Sequence, residues 1–223
     1  MVNHRRHNGG VNMNMLRPDS GIIRFLTKVC DLIFLNVIFS LACCTVVCLG
    51  AAVTALYMTA LELYREMDCA PVRDFLRNLR KAFTASTPAA ILLLADVTLL
   101  AVLYRALFAE TLLFSPELFV LLCIAAAVLT ALLSYLFPLL ACFDNSFSAH
   151  LGNAARLALA NLPITLFVTT VNLLPFLILI FLPQFFGPIA AIWLLIGAAA
   201  GACINLFYLR RIFKRQTDFE RNG

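Results

Sequence analysis

Six long apolar segments constrain the fold of this chain more than any other feature. They cover residues 22–43, 50–66, 88–108, 116–142, 163–182 and 187–209. A helix rises 1.5 Å per residue, so about 20 apolar residues cross the roughly 30 Å hydrocarbon core of a bilayer. Hydrophobic residues make up 62% of the 223 and charged residues 13%, far from the composition of a soluble domain. The sequence therefore predicts an all-α integral membrane protein.

The number of spans depends on how the first two segments are divided. The stretch CCTVVCL, which precedes Gly50, contains no helix breaker. A helical hairpin with its apex there gives six transmembrane helices, whereas one span followed by a shallow helix gives five. With six spans, all lysines and arginines except Arg105 fall on one side of the membrane. The positive-inside rule then favours six spans and places both termini in the cytoplasm.

Three regions follow from this division of the chain. Residues 1–20 contain the polar, aperiodic stretch NHRRHNGGVNMNM and are predicted to form a disordered cytoplasmic tail. Residues 21–209 hold all the apolar segments and are predicted to form a single membrane domain. Residues 210–223 are rich in lysine and arginine and are predicted to form a basic cytoplasmic tail.

Two polar interludes of similar sequence separate the spans. NLRKAFTASTP at 78–88 and NAARLALANLP at 153–163 each run from an asparagine to a proline that opens an apolar segment. Both are predicted to be amphipathic helices in the inner interface, ending in turns at Ser-Thr-Pro and Asn-Leu-Pro. Their shared register indicates a parallel internal repeat, although any two hairpins with interfacial links would look similar.

The first interlude predicts a contact with lipid headgroups. Its apolar face is formed by Val72, Phe75, Leu76, Leu79 and Phe83. The opposite face carries Arg73, Arg77, Arg80 and Lys81. Cations near an anionic leaflet contribute about 1 kcal/mol each to membrane binding. We expect these four side chains to contact anionic headgroups at the inner face of the bilayer.

Asp96 and Asn172 are the polar residues of greatest interest at membrane depth. Asp96 lies eight residues beyond Pro88, and Asn172 lies nine residues beyond Pro163. An ionisable residue at such depth is a functional hypothesis by default. One interpretation is a polar site where Asp96 binds a cation, a proton or a solute with the help of Asn172. The simpler interpretation is a hydrogen bond between helices that holds the bundle together.

The remaining polar and small residues predict structural contacts. Asp31 is positioned to form an ion pair with Arg65 across the first hairpin. The stretch GAAAG at 197–201 permits close helix packing, either inside the bundle or in a homodimer. The sequence contains no catalytic motif, so we expect no enzymatic activity, no metal, no cofactor and no nucleic-acid partner.

Several stretches between residues 21 and 182 resemble the YesL-like family of bacterial integral membrane proteins, whose function is unknown. They are RFLTKVCDLIFLNVIFSL, GAAVTALY and SYLFPLLACFDNSFSAHLGNAARLALANLP. The chain departs from the family at the hairpin apex, where Thr45 stands in place of a proline and Cys48 in place of a threonine.

The resemblance implies a multi-pass protein of the bacterial plasma membrane with an accessory or regulatory role in carbohydrate uptake. The implied partner is the permease of a sugar ABC transporter, and the resemblance supplies no catalytic residues. Two alternatives remain open. One is a small stand-alone transporter whose solute passes near Asp96 and Asn172, and the other is a structural or lipid-binding membrane protein.

Overall fold

The computed structural model describes residues 21–64, 70–108 and 114–222. This part of the chain is helical and contains no strand. The α-helices are α1 (Gly21–Cys43), α2 (Leu49–Tyr64), α3 (Pro71–Leu107), α4 (Pro116–Cys142), α5 (Phe147–Ala160), α6 (Leu162–Phe181), α7 (Phe186–Ile192) and α8 (Ala198–Asn222). The predicted all-α class is confirmed.

Six segments are long and apolar enough to cross a membrane. They are Phe25–Cys43, Val46–Tyr64, Pro71–Leu107, Pro116–Cys142, Leu162–Phe181 and Pro183–Arg210. Each corresponds to one of the apolar segments in the sequence. The protein is therefore a multi-pass membrane protein with six candidate spans, as predicted.

The first two spans form the predicted hairpin. Helix α1 ends at Cys43, a short 3-10 turn covers Val46–Cys48, and α2 begins at Leu49. Thr45 adopts an extended conformation, with φ −98° and ψ 110°, which interrupts the helix. Its hydroxyl donates to the carbonyl oxygen of Ala42 at 2.8 Å, so a backbone acceptor at the end of α1 is satisfied. The turn at Cys44 and Thr45, with the 3-10 turn after it, thus separates α1 from α2 where the sequence shows no strong breaker.

The first interlude is not a separate helix, and the predicted turn at Ser-Thr-Pro is wrong. Helix α3 runs without a break for 37 residues, about 55 Å at 1.5 Å per residue. Pro88 lies inside it and removes one helical hydrogen bond. The hydroxyl of Thr87 donates to the carbonyl of Phe83, four residues earlier, at 2.8 Å. The continuous helix keeps Phe75, Ser86 and Ala89 on one buried stripe.

The second interlude forms the predicted turn. Helix α5 is a separate element whose N-cap Ser146 accepts a hydrogen bond from the backbone of Ala149. The chain turns at Asn161, and α6 begins at Leu162 with Pro163 in its first turn. The two interludes therefore differ in structure despite their similar sequences, and the parallel repeat stays a prediction.

The sixth span changes its type of helix along its length. A 3-10 turn at Pro183–Phe185 leads into α7, a π-helical turn follows at Trp193–Gly197, and α8 then continues to Asn222. The predicted boundary at residue 209 is therefore not a helix end. The predicted N-terminal tail, residues 1–20, lies outside the described residues.

Small residues let the helices approach closely inside the chain. Gly50 of α2 is buried against α3, where Ser86 and Ala90 are its nearest neighbours. Gly201 of the GAAAG stretch is also buried, but a Cβ atom there would lie 4.0 Å from the side chain of Val171 of α6, an ordinary van der Waals distance. The close approach at Gly50 therefore serves packing within one chain, and a homodimer stays a prediction.

Six crossings make a definite prediction for reporter fusions. A reporter enzyme that is active only outside the cytoplasm should be active when fused after Ser115 or Leu182 and silent when fused after Asn222. The reason is that the first two positions follow an odd number of spans and the last follows six. Activity of the Asn222 fusion would contradict the span count if the other two fusions are also active, and the orientation if they are silent.

Candidate intramembrane polar site

Asp96 and Asn172 line the same cleft, which the sequence suggested from their similar depths alone. The cleft has a volume of about 220 Å³ and lies between α2, α3, α4 and α6. Its lining residues are Val53, Tyr57, Leu93, Asp96, Val97, Leu100, Thr130, Leu133, Ser134, Phe137, Asn172 and Leu173. Five of these have polar groups, and the others form apolar walls.

Asp96 is only 4% exposed and is held by α4. The hydroxyl of Thr130 lies 3.0 Å from Oδ2 and 3.2 Å from Oδ1 of the carboxyl group, and donates to it. An ionised carboxylate offers about four lone-pair positions for hydrogen bonds. Thr130 is its one hydrogen-bond donor among the described residues, so the carboxyl group keeps acceptor capacity on the side of the cleft.

Asn172 belongs to a chain of hydrogen bonds that joins four helices. Its Nδ2 donates to Ser134 Oγ of α4 at 2.7 Å. Its Oδ1 accepts from Asn205 Nδ2 of α8 at 2.9 Å. The same Asn205 Nδ2 donates to the hydroxyl of Tyr57 on α2 at 3.0 Å. The predicted structural role of hydrogen bonding between helices is thus present at Asn172.

Thr130 and Ser134 connect the surroundings of Asp96 and Asn172. They lie four residues apart on α4, so their side chains share one face of that helix. Thr130 contacts Asp96, and Ser134 contacts Asn172. Sequence reasoning missed both residues, although their spacing inside the apolar run LTALLSYLF was a usable signal.

The predicted headgroup-binding cations are not equivalent. Arg77 pairs with Asp74 at 2.8 Å and with Glu62 of α2 at 3.1 Å. Asn78 also donates to Glu62, at 3.3 Å, and to Thr59 at 3.1 Å. These contacts fix the first two turns of α3 against the end of α2. Arg77 is therefore bound to carboxylates of its own chain.

The other three predicted cations, Arg73, Arg80 and Lys81, have exposed side chains. The predicted apolar face of this segment is divided, because Phe75 is buried in the core whereas Val72, Leu76 and Phe83 remain exposed. An exposed apolar stripe beside exposed cations is typical of a helix that contacts the membrane interface. Contact of these cations with anionic headgroups stays a prediction.

The predicted ion pair between Asp31 and Arg65 lies partly outside the described residues. Asp31 is half-buried on α1, and Arg65 falls in the gap that follows α2. The pair therefore stays a prediction.

The comparisons with known proteins agree with the resemblance at a coarse level. A family model described as "Protein of unknown function, DUF624" matches residues 32–104, from α1 to the last turn of α3. The YesL-like proteins belong to that family. No curated protein and no solved structure matches the chain. The matched segment includes Tyr57 and Asp96, which supply the α2 and α3 walls of the cleft.

Proposed function

We propose that this protein is an accessory or regulatory subunit for carbohydrate uptake in the bacterial plasma membrane, without catalytic activity of its own. The resemblance supplies the solute class. The observation that supports a regulatory role is the coupling of the cleft to the bundle. Asn172 and Ser134 line the cleft and also take part in the hydrogen bonds that join α2, α4, α6 and α8.

Because of this coupling, a ligand bound in the cleft would change the packing of helices that reach distant surfaces of the protein. A ligand that displaced Asn172 would break contacts with Ser134 and Asn205, and therefore alter how α8 packs against α6. Helix α8 leads to the C-terminal end, which the positive-inside rule predicts to lie in the cytoplasm. A permease that contacts this end could thereby respond to the cleft.

Co-purification tests the proposed partner. The full-length protein would be isolated in a mild detergent from cells grown on a polysaccharide, with and without prior cross-linking. We expect the permease subunits of a sugar ABC transporter to be enriched over a matched preparation of an unrelated six-span membrane protein. Equal recovery of the permease in both preparations would count against the accessory role.

The second candidate is a stand-alone transporter, which the carboxyl group of Asp96 at membrane depth favours. Proteoliposomes containing only this protein would then carry out solute flux. The accessory role predicts no flux from the purified protein, so the same preparation separates the two candidates.

Replacing Asp96 with asparagine should leave the protein stable and functional. The amide keeps an oxygen that can accept from Thr130 and removes a potential charge that is costly in a buried position. We expect the melting temperature in detergent to hold or rise, and the variant to complement a deletion strain. A stable Asp96→Asn protein that fails to complement, while Asp96→Glu succeeds, would assign an essential charge to this position.

A further inference from the structure

We infer that the cleft binds an uncharged, hydroxyl-bearing group rather than a metal cation, with Asp96 accepting a hydrogen bond from it and Tyr57 donating one. This inference deepens the proposed function by naming the ligand class of the same cleft. The inference rests on which hydrogen-bond donors and acceptors in the cleft have no partner yet among the described residues, and on the apolar side chains that form the walls of the cleft.

The donors come from the side of the cleft that α2 and α6 form. The two hydrogens of Asn205 Nδ2 are directed to Asn172 Oδ1 and to the oxygen of Tyr57. Because the Tyr57 oxygen is an acceptor in this bond, its own proton remains available, and Tyr57 lines the cleft. Asn172 commits one of its two amide hydrogens to Ser134, so the second is also available to a ligand.

The acceptor comes from the opposite wall. Thr130 occupies one position on the Asp96 carboxyl group, and the remaining lone pairs adjoin the cleft. A hydroxyl group donates and accepts at once, so it matches a cleft that offers an acceptor on α3 and donors on α2 and α6. A bare cation would meet the positive ends of the O–H and N–H dipoles of Tyr57 and Asn172.

The walls favour the same ligand class. Leu93, Leu133, Phe137 and Leu173 form most of the surface around the polar groups. A metal cation could pair with the Asp96 carboxyl group, but hard cations take about six or more oxygen ligands, and the apolar side chains of the walls supply none of the others. The carbon skeleton of a neutral ligand would instead pack on these side chains, as in most small-molecule sites.

The opening of the cleft admits ligands from two sources. Val97 lines the cleft and is 52% exposed, so the cleft opens on the flank of α3. That flank belongs to the outer surface of a membrane-spanning helix. The hydroxyl group can therefore belong to a water-soluble polyol or to a lipid such as diacylglycerol. A cleft of about 220 Å³ has the volume of about seven liquid-water molecules, enough for a sugar ring or a glycerol moiety.

The test measures binding to the purified full-length protein in nanodiscs. The probes are radiolabelled glucose and myo-inositol for the soluble source and diacylglycerol, added to the nanodisc, for the lipid source. The probe ²²Na⁺ tests the alternative that the cleft binds a metal cation. The variants are Asp96→Asn, Asp96→Leu and Tyr57→Phe. Thr170→Val is the matched control, because that exposed hydroxyl bonds only to Leu166 within its own helix.

We expect saturable binding of a polyol or of diacylglycerol and none of ²²Na⁺. Asp96→Asn keeps an acceptor, so affinity should change by less than about fivefold, whereas Asp96→Leu and Tyr57→Phe should each lower it about tenfold or more, the equivalent of one lost hydrogen bond. If Asp96→Leu does not fold, the inference is tested by comparing the affinities of Asp96→Asn and Tyr57→Phe.

Three results would overturn the inference: saturable ²²Na⁺ binding that Asp96→Asn abolishes, hydroxyl-ligand binding that is equal in all variants, or no binding from either source. These measurements use the isolated protein. Failure to recover a permease would therefore refute the accessory role and leave the ligand class intact.

Discussion

Replacing Gly50 with valine should prevent the bundle from assembling. A Cβ atom added at Gly50 would lie 2.6 Å from the carbonyl oxygen of Ser86 and 2.8 Å from Cβ of Ala90, both on α3. Neither atom belongs to the end of a flexible side chain, so α2 and α3 would have to move apart. Overpacking of one such contact costs about 1–3 kcal/mol, and a branched side chain adds two methyl groups. We expect little folded, monodisperse protein by size-exclusion chromatography of a fluorescent fusion.

The matched control for this change is Gly152→Ala on α5. Apart from the neighbouring backbone of α5 itself, no atom of the described residues lies within 4 Å of the Cβ position there, so the added methyl group meets open space. Alanine is favoured over glycine inside a helix by about 1 kcal/mol, so this variant should be at least as stable as the parent. A Gly50→Val protein as stable as Gly152→Ala would show that α2 and α3 do not pack as closely as described.

Replacing Asn36 with leucine should produce the second large effect, on the sixth span. Asn36 is 1% exposed on α1. Its Nδ2 donates to the carbonyl oxygens of Trp193 at 3.1 Å and Leu194 at 2.7 Å, and its Oδ1 accepts from the backbone of Ala199 at 2.7 Å. Trp193 and Leu194 lie in the π-helical turn, where the regular helical pattern is interrupted, and Ala199 lies just beyond it in α8. The side chain therefore forms hydrogen bonds with three backbone groups at this irregular part of the sixth span.

Leucine has a similar volume but satisfies none of the three groups. Each buried backbone group left unpaired costs about 1–3 kcal/mol, and the bilayer offers no water to replace the lost partner. We expect the melting temperature in detergent to fall by about 10 °C or more. Thr98→Val is the control, because the exposed Thr98 hydroxyl bonds only to Leu94 within α3. A similar, small effect of both changes would mean that Asn36 does not stabilise the π-helical turn.

The sequence by itself determined the class of the protein, the six spans and two of the five polar residues that line the cleft. Apolar length was sufficient for the spans because a helix of about 20 residues satisfies its own backbone inside a bilayer, whereas the strands of a membrane barrel are about half as long. Counting residues from the prolines that open the apolar segments placed Asp96 and Asn172 at similar depths in the membrane. This was sufficient to suggest that the two side chains belong to one site. The asymmetry of charge distinguished the hairpin from a shallow helix, since its apex at Thr45 shows no breaker in the sequence.

The tertiary structure alone decided what covers each apolar face. Hydropathy treats lipid and protein interior alike, so Phe75 and Phe83 looked equivalent, yet Phe75 is buried in the core and Phe83 is exposed. The pairing of Arg77 with Glu62 likewise depends on how α3 lies against α2. Pro88 predicted a break in the helix, but one missing hydrogen bond did not outweigh the packing of α3 along α2. Such choices depend on contacts between distant segments, which local patterns do not encode.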